Sequence, residues 1–234
     1  GISLNVEIPT GPGSYYPPGT EFDIEIEIVD TEGSVSIAKS DESIQYLDPS
    51  KNWKNAKGNG FSIFYYGIRS SKVENLIEQV NSRIPMLQKV SGVSKTPEFK
   101  AIVFPSVQEA TPSFPPISRT ATDQLFFAGF AQPQYRLFVQ GQVNTSTFIH
   151  ELAHLYVHES VSSSRTGRIP SWLSEGLAVF LETGQSKSSN ERLRSSVQPD
   201  GLLPLRNMNT VPGQRDDVFI FYPQAGAFVG YLIE

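Results

Sequence analysis

The chain has 234 residues, 38% of them hydrophobic, which is enough for one large domain with a core that needs no disulfide bonds. It contains no cysteine, and this excludes disulfide scaffolds, thiol catalysis and cysteine-ligated metal centres. The 19 Lys and Arg residues against 24 Asp and Glu residues give a net charge of −5, which argues against a nucleic-acid-binding surface. No apolar run approaches the roughly 20 residues that a membrane-spanning helix needs.

Two features of the sequence bear on where the protein functions and how far its chain extends. The chain begins with Gly1 rather than Met, and the lack of cysteine with 17 prolines suits a secreted or cell-surface bacterial protein. We therefore expect an extracytoplasmic location. At the other end, an apolar stripe through Leu232 and Ile233 stops at Glu234 without a capping residue, so we expect the natural chain to continue.

Residues 1–60 are predicted to form a short N-terminal β segment. Ile24, Ile26 and Ile28 alternate with acidic residues, a period of two that places one face in a core and one acidic face in water. Polar, glycine-rich residues 52–60 favour a boundary before the next segment. This segment could itself dock a partner or a cell-wall polymer, but its sequence shows no constellation of residues that would bind one.

Residues 61–234 are predicted to form a second, larger domain. An amphipathic helix over residues 71–92 begins at a capping box of Ser71 and Glu74 and bends at Pro85. Short apolar runs on either side of it predict strands at residues 61–66, 100–105, 125–131 and 135–139. Strands and helices in this order indicate an α+β fold with a mixed sheet.

All three histidines fall within one predicted helix, which begins near Asn144 or Thr145. His150 and His154 are four positions apart, so they lie on one helix face and point to a common centre. Glu151 follows the first histidine and can reach a water molecule bound at that centre. This H-E-x-x-H spacing is typical of two zinc ligands with a general base, although the pattern also arises by chance.

A second predicted helix, residues 170–184, strengthens the interpretation as a metal site. It carries Glu175 near its start, and an antiparallel return of the chain would bring this carboxylate to the two histidines as a third ligand. The neighbouring Gly176 permits two helices to approach closely. The alternative for Glu175 is a surface carboxylate that is stabilised by the helix dipole.

The H-E-x-x-H pattern together with Trp172-Leu173-Ser174-Glu175-Gly176-Leu177-Ala178 resembles the gluzincin metallopeptidases, specifically the peptidase MA-like family. The resemblance covers roughly residues 61–234 and implies a zincin-like catalytic domain. It also implies one Zn²⁺ per chain, held by His150, His154 and Glu175, and a peptide or protein substrate.

The same resemblance gives a role to one further residue and to one strand. Tyr222, followed by Pro223 at the predicted start of a last helix, would donate its hydroxyl to the oxyanion formed during hydrolysis, unless it is a core tyrosine. Strand 135–139 would be the sheet edge that pairs with the substrate. From the helical spacing, we expect His158 to lie too far along its helix to share the metal, and Glu182 to be either a solvated carboxylate or a partner of a ligand imidazole.

The function implied is zinc-dependent peptide-bond hydrolysis with Glu151 as the general base. An endopeptidase is favoured because the Gly-Ala-Met-Glu-Asn segment that anchors a free amine in zinc aminopeptidases is not found before His150. Two alternatives stay open: a zinc aminopeptidase, and a binding module of the same fold with weak catalytic activity.

Overall fold

The computed structural model describes residues 7–10, 13–94, 98–115, 128–162, 169–183, 190–191, 193–195 and 201–233. Its strands are β1 (Glu21–Phe22), β2 (Glu25–Val29), β3 (Val35–Lys39), β4 (Ile44–Gln45), β5 (Lys54–Lys57), β6 (Phe61–Tyr65), β7 (Phe99–Val103), β8 (Gly129–Gln132) and β9 (Leu137–Gln140). Its α-helices are α1 (Ser70–Asn81), α2 (Ile84–Ser91), α3 (Val107–Ala110), α4 (Thr145–Ser162), α5 (Ser171–Thr183) and α6 (Arg215–Ile233).

A five-stranded mixed sheet with the order β5-β6-β7-β9-β8 organises the fold, so the predicted α+β class with a mixed sheet is confirmed. Strands β6, β7 and β9 run parallel to one another, and the two edge strands β5 and β8 are antiparallel to their neighbours. The prediction that residues 135–139 form the sheet edge is wrong. Strand β9 is interior, because parallel pairing with β7 leaves β8 outside it.

One face of this sheet is covered by helices and the other by the N-terminal part of the chain. Buried side chains of β6 and β7 pack with α1, α2 and α4 in the larger core. On the opposite face, Ile102, Leu137 and Val139 are buried beneath Leu47 and Trp53. Strand β5 pairs with β6, so the sheet begins at Lys54, inside the segment that the sequence assigned to the N-terminal unit.

The predicted helix over residues 71–92 is two helices in the structure. Helix α1 ends at Asn81, and α2 starts at Ile84 with Pro85 in its first turn, where the missing proline N–H costs no hydrogen bond. Gly92 ends α2 in the left-handed conformation, as expected, with φ 73°. The predicted capping box is wrong, because the cap position of α1 is Arg69 and makes no side-chain capping bond.

The N-terminal alternation does form the antiparallel hairpin β2–β3. Its predicted burial is found only in part: Ile24 and Ile26 are partly buried, but Ile28 and Ile37 are 54% and 57% exposed. Two strands alone offer no second layer to cover an apolar face, which explains the difference. None of the helices in the described ranges has the length and apolar character that crossing a bilayer requires.

Helices α5 and α6 pack closely where Gly176 meets α6. A Cβ atom at Gly176 would lie 2.5 Å from the backbone oxygen of Ala225 and 2.6 Å from Val229 Cγ2. Such distances are well inside van der Waals contact, and a backbone oxygen cannot move without moving its helix. The glycine therefore fixes the separation of these two helices.

We predict that Gly176→Ala lowers the free energy of unfolding by about 1–3 kcal/mol, because overpacking outweighs the better helix propensity of alanine. Chemical denaturation monitored by circular dichroism measures the change. Gly213→Ala is the matched control, since a Cβ atom at Gly213 meets nothing within 4 Å. Equal stability of the two variants would contradict the packing argument.

Candidate metal centre

Helix α4 begins as predicted and carries two histidines toward a cleft. The side-chain oxygen of Asn144 accepts a hydrogen bond from the Thr147 N–H at 2.9 Å, which caps the helix. Phe148, Leu152 and Leu155 are buried in the core and fix the rotation of the helix. The other faces of α4 carry the H-E-x-x-H residues, which line the cleft.

Glu175 on α5 lies opposite both imidazoles. Its Oε2 atom is 3.3 Å from His150 Nε2 and 3.4 Å from His154 Nε2. The two imidazole rings are 5.0 Å apart between centroids and inclined by 78°, so they converge without stacking. The structure thus brings together the three residues that the sequence proposed as ligands.

The donor set fits a zinc ion. One ligand atom from each residue lies within 4.8 Å of the others, the only such His, Cys, Asp or Glu group within the described ranges. Tetrahedral ligands about 2.0–2.1 Å from Zn²⁺ are separated by about 3.3 Å, which is close to both nitrogen–oxygen distances here. Three protein ligands leave one position for water or substrate, as in catalytic rather than structural zinc sites.

Both histidines also have a partner on the nitrogen that faces away from Glu175. His154 Nδ1 lies 3.1 Å from Ser174 Oγ, and His150 Nδ1 lies 3.6 Å from Glu182 Oε2. Partners at this nitrogen orient an imidazole and favour the tautomer whose Nε2 can bind a metal. The expectation of a solvated Glu182 is wrong, because its side chain is 18% exposed and lies against His150, two helical turns after Glu175.

Three residues, His150, His154 and Glu175, form what we call the metal group. Opposite charges balance within the metal group before a metal binds. Burial alone would lower the pKa of His150, but its contacts with Glu175 and Glu182 raise it to about 10. Burial alone would raise the pKa of Glu175, yet the two histidines outweigh this and hold it well below its usual value. A metal must displace the His150 proton, so metal affinity rises with pH.

Glu151 lies under the edge strand β8 and lines the same cleft as the three candidate ligands. Its side chain is buried, and burial raises its carboxyl pKa despite the two neighbouring histidines and a hydrogen bond with the Ala131 backbone. A Cβ atom at Gly129 would lie 2.7 Å from Glu151 Cγ. Strand β8 can therefore approach this carboxylate only because residue 129 is a glycine.

Tyr222 lies beside the metal group, but the helix that carries it differs from the prediction. Helix α6 begins at Arg215, where Asp216 and Asp217 favour the helix start, and Pro223 is inside it. The Tyr222 ring is 6.4 Å from the His150 ring between centroids. Its hydroxyl is buried and has no hydrogen-bond partner in the described part of the chain. Burial and the charges of Glu175 and Glu151 raise its pKa, so the phenol stays protonated.

A cleft of about 420 Å³ joins these residues to solvent. Its walls include Gly129 and Ala131 of β8 beside the metal group, and its far end lies along the last turns of α4. His158 lines this far end and is exposed, which agrees with its predicted position beyond the metal group.

Comparison with known proteins supports a metallopeptidase. Residues 139–234, which contain every residue of the metal group, match the Peptidase MA superfamily. This match confirms the predicted resemblance and makes that region metallopeptidase-like. No curated protein sequence matches the chain significantly.

One similar solved structure is the yeast LTA4 hydrolase in complex with bestatin, with 15% sequence identity and a TM-score of 0.42. The alignment covers 92% of this chain and 38% of that chain, so the present chain spans under two fifths of its length. The similarity to the Peptidase MA superfamily rests on the sequence match of residues 139–234.

Sequence reasoning missed Ser174 and the two backbone contacts of Glu151. The serine precedes a predicted ligand on the same helix, so its position was a usable clue. The approach of Gly129 and Ala131 depends on the strand order, which no local pattern reveals.

We predict that Glu182→Gln weakens zinc binding about tenfold or more, because the His150 imidazole loses a charged partner. Competition with a chromophoric chelator measures the dissociation constant. Glu74→Gln, an exposed carboxylate on α1, is the matched control and should leave zinc affinity unchanged. An unaltered affinity in Glu182→Gln would show that Glu182 does not position the ligand.

Proposed function

We propose that this protein is a zinc-dependent endopeptidase with a zincin-like catalytic domain. The observation that carries the proposal is the convergence of His150, His154 and Glu175 at distances that suit one tetrahedral zinc, with a buried carboxylate, Glu151, next to them. A zinc ion held there would polarise the scissile carbonyl and acidify a water molecule.

In this proposal Glu151 moves the proton. Its raised pKa makes its carboxylate a better base than an ordinary glutamate, so it can accept a proton from the attacking water. The resulting carboxylic acid then returns the proton to the amine that leaves. The hydrogen bond from strand β8 holds the carboxylate in place during both transfers.

Tyr222 is proposed to stabilise the oxyanion that develops on the scissile carbonyl. Its hydroxyl is buried beside the metal group and keeps its proton, so it is a donor without a protein acceptor among the described residues. A buried polar group without a partner costs stability and is typical of functional sites.

The cleft favours an interior peptide bond as the substrate. Strand β8 is an edge strand of the sheet among the described residues and lines the cleft, so an extended substrate backbone can pair with it. In the described lining of the cleft, Glu151 and Glu175 are the only carboxylates, and both serve the metal group. A further carboxylate to anchor a free α-amine is not among those residues, which supports an endopeptidase over an aminopeptidase.

A fluorogenic peptide library tests the proposed activity and the general base together. We predict that the zinc-loaded protein cleaves internal bonds, that a chelator abolishes cleavage, and that Glu151→Gln lowers kcat by about 10²–10⁴-fold with zinc content and melting temperature unchanged. His154→Ala is the matched control for metal loss. A protein that binds zinc but cleaves no peptide would instead favour the binding-module alternative.

We predict that Tyr222→Phe lowers kcat and kcat/KM together by about 10²–10³-fold, because it removes a donor that acts on the developing oxyanion. Zinc content stays the same since the phenol is not a ligand. Steady-state kinetics and a melting curve are measured side by side. If Tyr222 were only a packing residue, phenylalanine would retain the ring and the kinetic constants would be normal.

A further inference from the structure

A second cavity, of about 460 Å³, lies on the sheet face that the N-terminal part of the chain covers. Its volume is within the range of ligand pockets, about 300–1,000 Å³. The wall of this cavity, which we call the aromatic pocket, combines aromatic rings, two carboxylates and an ammonium group from Trp53, Tyr66, Phe104, Asp48, Glu109 and Lys51. The described linings of the aromatic pocket and of the cleft beside the metal group share no residue, so the pocket is a separate candidate site.

Three of the rings support one another and give the pocket a fixed wall. The Tyr66 ring lies 4.7 Å from the Trp53 ring and 5.9 Å from the Phe104 ring between centroids, at interplanar angles of 76° and 80°. Edge-to-face contacts of this kind are a preferred geometry of aromatic pairs. The Trp53 indole N–H also donates a hydrogen bond of 3.0 Å to the Asp48 backbone oxygen. A ligand therefore meets rings that are already ordered, which lowers the entropic cost of binding.

The chain itself places a cation on this wall. Lys51 Nζ lies over the Tyr66 ring, 5.3 Å from its centroid, within the distance of about 6 Å over which a ring face attracts a cation. The Tyr66 hydroxyl donates a hydrogen bond of 2.8 Å to Glu109 Oε2, which adds electron density to the ring and strengthens this attraction. Burial and the Glu109 carboxylate raise the pKa of Tyr66 to about 12, so the phenol keeps the proton that it donates.

From these contacts we propose that the aromatic pocket binds a lysine side chain of a partner polypeptide, whose ammonium replaces that of Lys51 over Tyr66. Asp48 and Glu109 against Lys51 give the described lining a net negative charge, which is complementary to a cation. A primary ammonium has three N–H donors, so it can use the rings and the carboxylate oxygens together, whereas a quaternary amine has no N–H to donate. The proposal does not depend on the proposed hydrolysis, because it concerns a different cavity.

The pocket exists only in the folded chain, because its wall comes from distant parts of the sequence. Lys51 and Trp53 precede β5, Tyr66 and Phe104 directly follow β6 and β7, and Glu109 lies on α3. Strands β6 and β7 are parallel neighbours, so the residues that follow them meet at one end of the sheet. The N-terminal segment alone therefore shows no binding constellation.

NMR titration of the two tryptophan indole N–H signals tests the proposal on the full chain. The probes are Nα-acetyl-lysine N-methylamide and its norleucine analogue, which has the same stem without the ammonium group. We expect a saturable shift of the Trp53 signal with the lysine probe, and binding of the norleucine probe at least about threefold weaker. Trp172, on α5 and outside the pocket lining, is the internal control and should not shift. Loss of one signal in Trp53→Phe assigns the two.

Two variants separate a cationic ligand from an anionic or neutral one. Lys51→Met removes the internal competitor and should tighten binding of the lysine probe about 3- to 10-fold, whereas an anionic ligand would bind more weakly to this variant. Glu109→Gln should weaken binding by a similar factor while it retains an acceptor for the Tyr66 hydroxyl. Lys89→Met, the same charge change at an exposed lysine on α2, serves as the control and should leave the affinity unchanged.

Tighter binding of the lysine probe to Lys51→Met, with no change in Lys89→Met, supports the proposal. Equal binding of the lysine and norleucine probes, weaker binding to Lys51→Met, or no saturable shift of Trp53 overturns it. Choline serves as a second cationic probe. If choline binds more tightly than the lysine probe, the ligand is a free quaternary amine and the assignment to a polypeptide is wrong.

Discussion

The close packing of α5 against α6 at Gly176 is the constraint on which the site depends. Because residue 176 has no side chain, the Ala225 backbone and Val229 can come against the helix next to Glu175. Helix α5 is also packed against α4, so its position relative to both neighbours is fixed. The Glu175 carboxylate consequently meets two histidines from a different helix within 3.4 Å. A small change in helix separation would move one ligand relative to the other two.

The electrostatics of the site follow from burying several charges in one place. Burial of a charge is costly unless it is paired, and His150 has a carboxylate near each ring nitrogen. Ser174 fills the corresponding place on His154. Glu151 and Tyr222 are the exceptions: the carboxylate keeps a raised pKa and the hydroxyl lacks a partner among the described residues. These two groups are the ones to which the proposed mechanism assigns proton transfer and oxyanion stabilisation.

Local patterns in the sequence were sufficient to predict the three candidate ligands but not the residues that surround them. The i, i+4 spacing of His150 and His154 fixes a shared helix face, and the residues around Glu175 predict the second helix, so the three-residue group was predictable. The start of α6 was not predictable, because Pro223 resembles a first-turn proline although the helix begins eight residues earlier, at Arg215, with Asp216 and Asp217 in its first turn. The exposed face of the β2–β3 hairpin was likewise unpredictable, since alternation specifies two faces and does not specify what covers either one.

The order of the last two strands links the sheet to the chemistry. The chain forms β8 before β9, yet β9 takes the interior position because it continues the parallel array of β6 and β7. This leaves β8 as an antiparallel edge strand, with Gly129 against Glu151 and the Ala131 backbone bonded to its carboxylate. The strand proposed to bind a substrate backbone is thus the strand that contacts Glu151, the proposed general base. Placement of the scissile bond and placement of the proton acceptor therefore depend on one structural element, and a shift of β8 would disturb both.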